Sequence, residues 1–343
     1  MKVGMVCHPV YLEHDTGQHP ENASRLEHIL ALLEQSGVKQ QLVQIPALPA
    51  SIDDLLSVHS AAHISQVEAA ARSGGGWLDA DTVISPRSQQ AAVHAAGGLL
   101  QATEAVLNGN VDSAFALVRP PGHHATRTDA GGFCLFNNIA VAARQAVRKH
   151  GLSRVFIADF DVHHGNGTQD IFYDDPAVFF FSVHQSPLYP GTGRIAETGT
   201  GKGAGTTANV PLPPGCGDEP YLEVFQQVLV PLAHRFRPEL ILVSAGYDAH
   251  WADSISYMQL TVRGFARMVS LLKQLAGDLC HGRLVLTLEG GYHLQALSYS
   301  VKASFDTLLE KTGIDDPLGQ PVGRTKEPDT RALIQQARQV HKL

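Results

Sequence analysis

The residues best equipped for chemistry fall in one short segment, Asp159-Phe160-Asp161-Val162-His163-His164-Gly165-Asn166-Gly167, directly after an apolar run that ends at Ala158. If extended backbone continues past Ala158, Asp159, Asp161 and His163 share one face, because side chains along a strand alternate with a period of two. Two carboxylates and one imidazole make a partial cage for a divalent cation, and Asp248, at the end of another apolar run, is placed to complete it. Such a set with an open position describes a catalytic metal centre, since structural zinc is normally closed by cysteines. Its oxygen-rich donors suit Zn²⁺ and also accept Fe²⁺ or Mn²⁺. A lone Asp-x-His more often caps a helix or makes a turn. The neighbouring His164 and the strand-end Asp248 carry the metal reading.

A second pair of imidazoles, His123-His124, follows the rigid turn Pro120-Pro121-Gly122. Both rings reach one pocket only where the backbone turns, and each needs its own partner to fix tautomer and basicity. Asp159 and Asn166 are the candidates, one charged and one neutral, and that asymmetry pushes two imidazole pKa values apart, as acid and base roles require. Tyr292, after Gly290-Gly291, offers a phenol to a developing oxyanion, although a tyrosine after glycines is more often turn packing. Phe133, beside Gly132, and Tyr189 sit on glycine-flanked loops. Such aromatics are core lids or the walls of a slot for an aliphatic chain. Cys134 lacks an activating partner and reads as a packed thiol.

These groups need a frame. Apolar runs at 2–7, 113–118, 154–160, 177–183, 239–244 and 283–289 alternate with helix-like segments at 22–36, 88–107, 138–150, 220–236 and 261–276. Nearly continuous apolarity, as in Val178-Phe179-Phe180-Phe181, suits strands buried on both faces, and the alternation predicts an α/β fold with a parallel sheet covered by helices on both faces. Polar clusters follow four of the runs: Arg119 to His124, Asp159 to Gly167, Ala245 to Asp248, and Glu289 to Tyr292. In an open parallel sheet all four emerge at the carboxyl edge, where such folds bind ligands.

The chain of 343 residues and 36.8 kDa, 44% hydrophobic and 17% charged, is neither collagen-like, coiled-coil nor disordered. It reads as one catalytic domain over 1–343 with a helical C-terminal extension from about 317, opened by a Pro/Gly turn at 317–323 and continued by an amphipathic stretch at 331–340. The stretch 191–205, with six glycines, reads as a mobile loop but lacks a Walker pattern. Against 33 Asp and Glu stand 26 Lys and Arg, a net charge of −7. That gives no nucleic-acid footprint and mildly favours neutral or cationic ligands. Isolated cysteines, no leader-like start and no membrane-length apolar run predict a cytoplasmic, soluble protein with reduced thiols.

Taken in order over residues 5–307, the motifs resemble the arginase/deacetylase superfamily, specifically the zinc-dependent histone deacetylase family and its bacterial deacetylase-like amidohydrolases. They are His19-Pro20-Glu21-Asn22 with Arg25, Val58-His59, Arg119 to His124, Gly132-Phe133-Cys134 with Asn137-Asn138, Asp159 to Gly167, Ser182-Val183-His184, Pro190-Gly191-Thr192-Gly193, Ala245 to Asp248 and Glu289 to Tyr292. The resemblance implies about eight strands and a single Zn²⁺, with Fe²⁺ an alternative, on Asp161, His163 and Asp248. It implies His123 backed by Asp159 and His124 by Asn166, whose asparagine resembles the class II branch. It also implies Tyr292 as the transition-state tyrosine, and Gly132, Phe133 and Tyr189 as tunnel residues, with Tyr189 departing from the commoner Phe. Structural K⁺ or Na⁺ is implied at Asp159, Asp161, His163 and Ser182, and at carbonyls near Phe172, Asp175 and Val178.

The implied reaction is metal-assisted hydrolysis of an acyl-lysine or related small acetylated amine. Within the family, acetylpolyamine hydrolysis is the alternative, but the position matching the acidic gatekeeper of polyamine-selective relatives is the apolar Ile255. A binuclear manganese ureohydrolase would need further bridging carboxylates where Gly165 and His250 stand. A silent acyl-lysine-binding module would need a ligand or catalytic side chain to be missing. The expected partners are an acetylated lysine peptide or small acetylated amine, without nucleic acid or membrane, and the chain is open to homo-oligomerisation.

Overall fold

The computed structural model describes residues 1–321, 323 and 326–343. Its strands are β1 (Val3–Val6), β2 (Val43–Ile45), β3 (Gly76–Trp77), β4 (Val83–Ile84), β5 (Ser113–Ala116), β6 (Val155–Asp159), β7 (Val178–Gln185), β8 (Thr207–Leu212), β9 (Leu240–Ala245) and β10 (Leu284–Leu288). Eight of them form one sheet in the order β2-β1-β5-β10-β9-β6-β7-β8, parallel throughout, while β3 and β4 form a small antiparallel hairpin. The helices are α1 (Ser24–Gln35), α2 (Ile52–Leu56), α3 (Ala61–Arg72), α4 (Ser88–Leu107), α5 (Asn138–Arg148), α6 (Asn166–Phe172), α7 (Asp218–Val224), α8 (Val230–Phe236), α9 (Val262–Cys280), α10 (Leu294–Leu308) and α11 (Arg331–His341).

Every residue of β1, β5, β6, β7, β9 and β10 is buried, which requires cover on both faces, as the continuous apolar runs predict. Helices α1, α10 and α9 pack on one another, and α4 packs on α5. The expected helix over 220–236 is α7, a π-helical turn at Phe225–Leu229, and α8 in succession.

The periodic signal did not announce β2, β3, β4, β8, α2, α3, α6 or α10. Strand β2 is a three-residue, half-exposed edge. At the other edge, β8 carries Asn209 and Pro211, and proline is tolerated there because an edge strand needs fewer donors. Helix α10 buries Ser298, Ser300, Ser304 and Asp306 beside Leu297, Val301 and Phe305, so its inner face does not read as apolar. The C-terminal amphipathic stretch forms α11, which packs against β8, buries Ile334 and Ala337 in the core and receives a 2.6 Å hydrogen bond from Arg235 at the His341 carbonyl. The expected turn at 317–323 includes residue 322, which lies outside the described residues.

The order β5-β10-β9-β6 has a direct consequence for chemistry. The four strands followed by polar clusters are four consecutive neighbours, so their carboxyl ends are brought together by main-chain pairing alone.

Candidate active site

Asp161 and His163 follow β6, and Asp248 follows β9. All three are buried, and their candidate donor atoms lie within 4.8 Å of one another. His163 Nδ1 is 3.1 Å from Asp161 Oδ1 and 3.2 Å from Asp248 Oδ2. The carboxylates are aimed by main-chain donors: His163 N–H to Asp161 Oδ1 (2.9 Å), Gly290 N–H to Asp161 Oδ2 (2.8 Å) and Val162 N–H to Asp248 Oδ1 (3.0 Å). A Cβ at Gly246 would sit 1.9 Å from Asp161 Oδ2, and one at Gly290 would sit 2.1 Å from Asp248 Oδ2. Only glycine fits at either place.

Asp248 Oδ2 is buried and faces His163 Nδ1 at 3.2 Å without a well-formed hydrogen bond, and a buried charged group so poorly satisfied normally costs about 1–3 kcal/mol or more. Burial opposes charge on His163, but hydrogen bonds to Asp161 and Asp248 outweigh it and lift the imidazole to about 10. Burial, followed by the Asp161 charge, raises Asp248 to about 6. A divalent cation answers all three conditions, and the two oxygens and one nitrogen are the donors such an ion takes.

Asp159 does not join this group, although a strict period of two would place it there. Strand β6 ends at Asp159, and its carboxylate turns to the neighbouring cluster, 3.0 Å from His123 Nδ1. His124 Nδ1 meets Asn166 Oδ1 at 2.7 Å, and the two imidazole rings lie 4.0 Å apart between centroids. Their basicities diverge. For His123, burial favours the neutral ring, but the Asp159 and Asp161 charges outweigh it and raise it to about 10. Burial and the neighbouring His123 hold His124 well below the ordinary histidine value.

These groups line a cavity of about 210 Å³. Its inner end has the buried His123, His124 and His163, and its walls include Gly132, Phe133, Leu188, Tyr189, Ile255, Gly290 and Tyr292. A Cβ at Gly132 would lie 2.3 Å from the His124 ring, and Phe133 holds a positive φ of 71°, so a tight turn presents its ring to the cavity. Phe133 stands edge-to-face with His19 (4.5 Å) and Tyr292 (5.8 Å). Cys134 is buried with its thiol pushed well up by burial, consistent with a packed thiol. Ser182 pairs in register with Asp159 across β6 and β7, whereas Phe172 ends α6 and Asp175 and Val178 lead into β7.

Several residues that hold the site escaped the sequence reading. Glu289 accepts N–H bonds from Gly122 (2.7 Å) and His123 (3.2 Å), fixing the turn under the imidazole pair. Its signal was its place at the head of the Glu-Gly-Gly-Tyr cluster. Arg25, held by the buried Glu21 at 3.2 Å, donates to the Gly291 carbonyl (2.7 Å) and stacks 4.9 Å from the Tyr292 ring centroid. Asp81 lines the outer part of the cavity and accepts the Gly132 N–H at 3.2 Å. It comes from the loop between β3 and β4, where no local pattern announced it.

The sequence matches the family described as "Histone deacetylase domain" over residues 19–308. A "Probable deacetylase" of Archaeoglobus fulgidus is 43% identical over 304 residues, covering 88% of this chain and 84% of that protein. The human "Polyamine deacetylase HDAC10" is 42% identical over 301 residues, covering 84% of this chain and 44% of that protein. Among solved structures, the "Crystal Structure of HDA15 HD domain" superposes with a TM-score of 0.89 at 34% identity, covering 98% of this chain and 95% of that one. With an eight-stranded parallel sheet of the same form and a family match across most of its length, this chain belongs to the histone deacetylase family.

Proposed function

We propose that the chain hydrolyses acetyl or other short acyl amides of lysine side chains or related small amines with one bound Zn²⁺, Fe²⁺ being the alternative ion. The observation that carries this reading is the buried group of Asp161, His163 and Asp248, whose candidate donor atoms lie within 4.8 Å of one another beside two imidazoles of opposed basicity. Held by those three residues, the ion would polarise the acyl carbonyl and lower the pKa of bound water.

This chain's own groups do the rest. His124, kept neutral by burial, is the acceptor for the water's proton, and His123, kept charged against Asp159, holds the proton that the leaving amine needs. Asp159 and Asn166 orient the charged His123 ring and the neutral His124 ring through their Nδ1 atoms, leaving each Nε2 to serve the substrate. The Tyr292 phenol donates to the oxyanion. Phe133 and Tyr189 flank the aliphatic chain of the substrate, and Ile255 offers its far end an apolar wall.

A second reading, an acetylpolyamine substrate, is favoured by one observation: the Asp81 carboxylate on the cavity wall can meet a second ammonium. Competition between an acetyl-lysine peptide and acetylated putrescine or spermidine on the zinc-loaded enzyme decides between them.

The proposal extends to structural K⁺ or Na⁺ at Asp159, Asp161, His163 and Ser182 and at carbonyls near Phe172, Asp175 and Val178, to a single catalytic domain, and to self-association. A cytoplasmic location is supported by four free cysteines, and no helix among the described residues is long and apolar enough to cross a membrane.

The decisive experiment is Tyr292→Phe assayed on a fluorogenic acetyl-lysine peptide, with metal content measured. We expect about 10²–10³-fold slower turnover with the ion retained. Full activity in that variant would refute the role given to the phenol.

A further inference from the structure

We propose that Asp253 is the positioning residue of Tyr292, an inference that rests on the function proposed above. Tyr292 follows two glycines, and Gly291 has a φ of 119°, so the chain leading to the phenol has little stiffness of its own. Yet the Gly291–Tyr292 peptide is gripped at both polar atoms. Its carbonyl accepts from Arg25 Nε at 2.7 Å, and its N–H donates to Asp253 Oδ2 at 2.6 Å.

The same Asp253 oxygen takes the His293 N–H at 2.9 Å, at the residue that caps α10, so the carboxylate also meets the positive end of that helix. Asp253 is only 5% exposed. A short charge-assisted bond in that setting holds a peptide plane far better than a solvated contact does. With that plane held at both polar atoms and the next N–H, of His293, held by the same carboxylate, the backbone on both sides of the Tyr292 Cα is restrained, and with it the direction of its Cα–Cβ bond.

The second carboxylate oxygen links this grip to the cavity wall. Oδ1 accepts the Ile255 N–H at 3.2 Å, and one residue on, Ser256 Oγ donates to the Asp248 carbonyl at 2.6 Å. The loop that bears a cation ligand and the substrate-facing Ile255 is thus fastened to the phenol-bearing loop by one side chain. Asp253 touches no reacting atom. It acts through the place where it sets the phenol, and misplacement by about 1 Å is worth on the order of 10² in rate.

The test is a double-mutant cycle on kcat with the acetyl-lysine peptide, in zinc-loaded proteins checked for melting temperature and metal content. Asp253→Ala is expected to lower kcat by about 10–100-fold with a smaller change in KM. In the Tyr292→Phe background it should lower kcat by less than about threefold, because no phenol is left to aim. Equal losses on the two backgrounds would overturn the proposal and leave the proposed function standing. Undiminished activity in Tyr292→Phe alone would refute the role given to the phenol, and this inference with it, whereas no chelator-sensitive deacetylation by the unmodified protein would overturn the proposed function. If Asp253→Ala does not fold, Asp253→Asn carries the same cycle. Its single oxygen cannot serve both sides of the clamp, so the same non-additivity is expected at smaller size.

Discussion

The inner and outer ends of the cavity are built by opposite means. At the inner end, Asp161, His163, Asp248 and His123 stand at the ends of adjacent strands, and main-chain N–H groups aim their carboxylates. At the outer end, Tyr189 is 43% exposed, Ile255 is half-buried, and Asp81 comes from the connection between two-residue strands. The inner end is determined by register in a central sheet and admits few changes. The outer end is determined by loop length and single side chains, and there one substitution changes the substrate offered a hold. Chemistry and specificity are therefore separable in this molecule, and the difference can be challenged from both ends.

The largest effect belongs to the inner end. A chelator that strips the ion should take deacetylation of an acetyl-lysine peptide to background, and added Zn²⁺ should restore it. Asp248→Ala should abolish activity and reduce bound metal, because it removes one of the three grouped donors. Activity that survives both treatments would mean the cluster is structural. His124→Ala should follow with a loss of about 10²–10⁴ at unchanged metal content, the usual worth of a positioned acid or base.

Much of the inner end was legible in the sequence because its residues are local in the chain. Asp161, His163, His164 and Asn166 fall within one segment, and the run of Val178 to Phe181 announced a strand buried on both faces. The place where the period of two failed is instructive. Asp159 reads as a fellow donor only while extended backbone persists, and the ladder of strand pairing ends there, so of the two places the sequence offered it the carboxylate takes the one beside the His123 imidazole. Glu289 and Asp253 were illegible for another reason. Each acts on backbone N–H groups of segments about 40 or more than 160 residues away, and no spacing rule encodes such a contact. Asp81 was hidden in a hairpin whose strands are too short for any periodicity.

Between the two ends in size stands the shell of neutral histidines. His59 Nδ1–H donates to the Thr126 carbonyl (2.8 Å), and its Nε2 accepts the Asn137 N–H (2.9 Å), fastening both ends of the 127–136 loop that carries Gly132 and Phe133. Burial, followed by the His63 charge, lowers His59 to about 3, and burial lowers His250 likewise and His14 to about 4. Since these three groups bind more protons in the unfolded chain than in the folded one, their contribution to stability should be fully present above about pH 6.5 and be lost as the pH drops toward 3. Each such group contributes a slope of up to about 1.4 kcal/mol per pH unit. In urea midpoints measured at pH 7.5, 6 and 4.5, as assay conditions, His59→Gln should lose less stability on acidification than the unmodified protein. An unchanged slope would remove His59 from this shell.

The smallest effect is expected at the outer end, where it sharpens the contrast most. Ile255→Glu places a carboxylate on the wall opposite a substrate's far end, where the native chain offers only an apolar surface. A partly exposed ion pair is worth roughly 1 kcal/mol, so kcat/KM for acetylspermidine should rise relative to an uncharged acetyl-lysine peptide by about tenfold or less. Asp81→Asn should move the same ratio the other way by a few-fold, with kcat on the neutral peptide nearly unchanged. The two substitutions together should come close to adding, because each meets the substrate's second charge without altering the groups that act on the amide. A fall in kcat on the neutral peptide comparable to that of His124→Ala would mean that the outer wall also sets the chemistry, and the division between the two ends would fail.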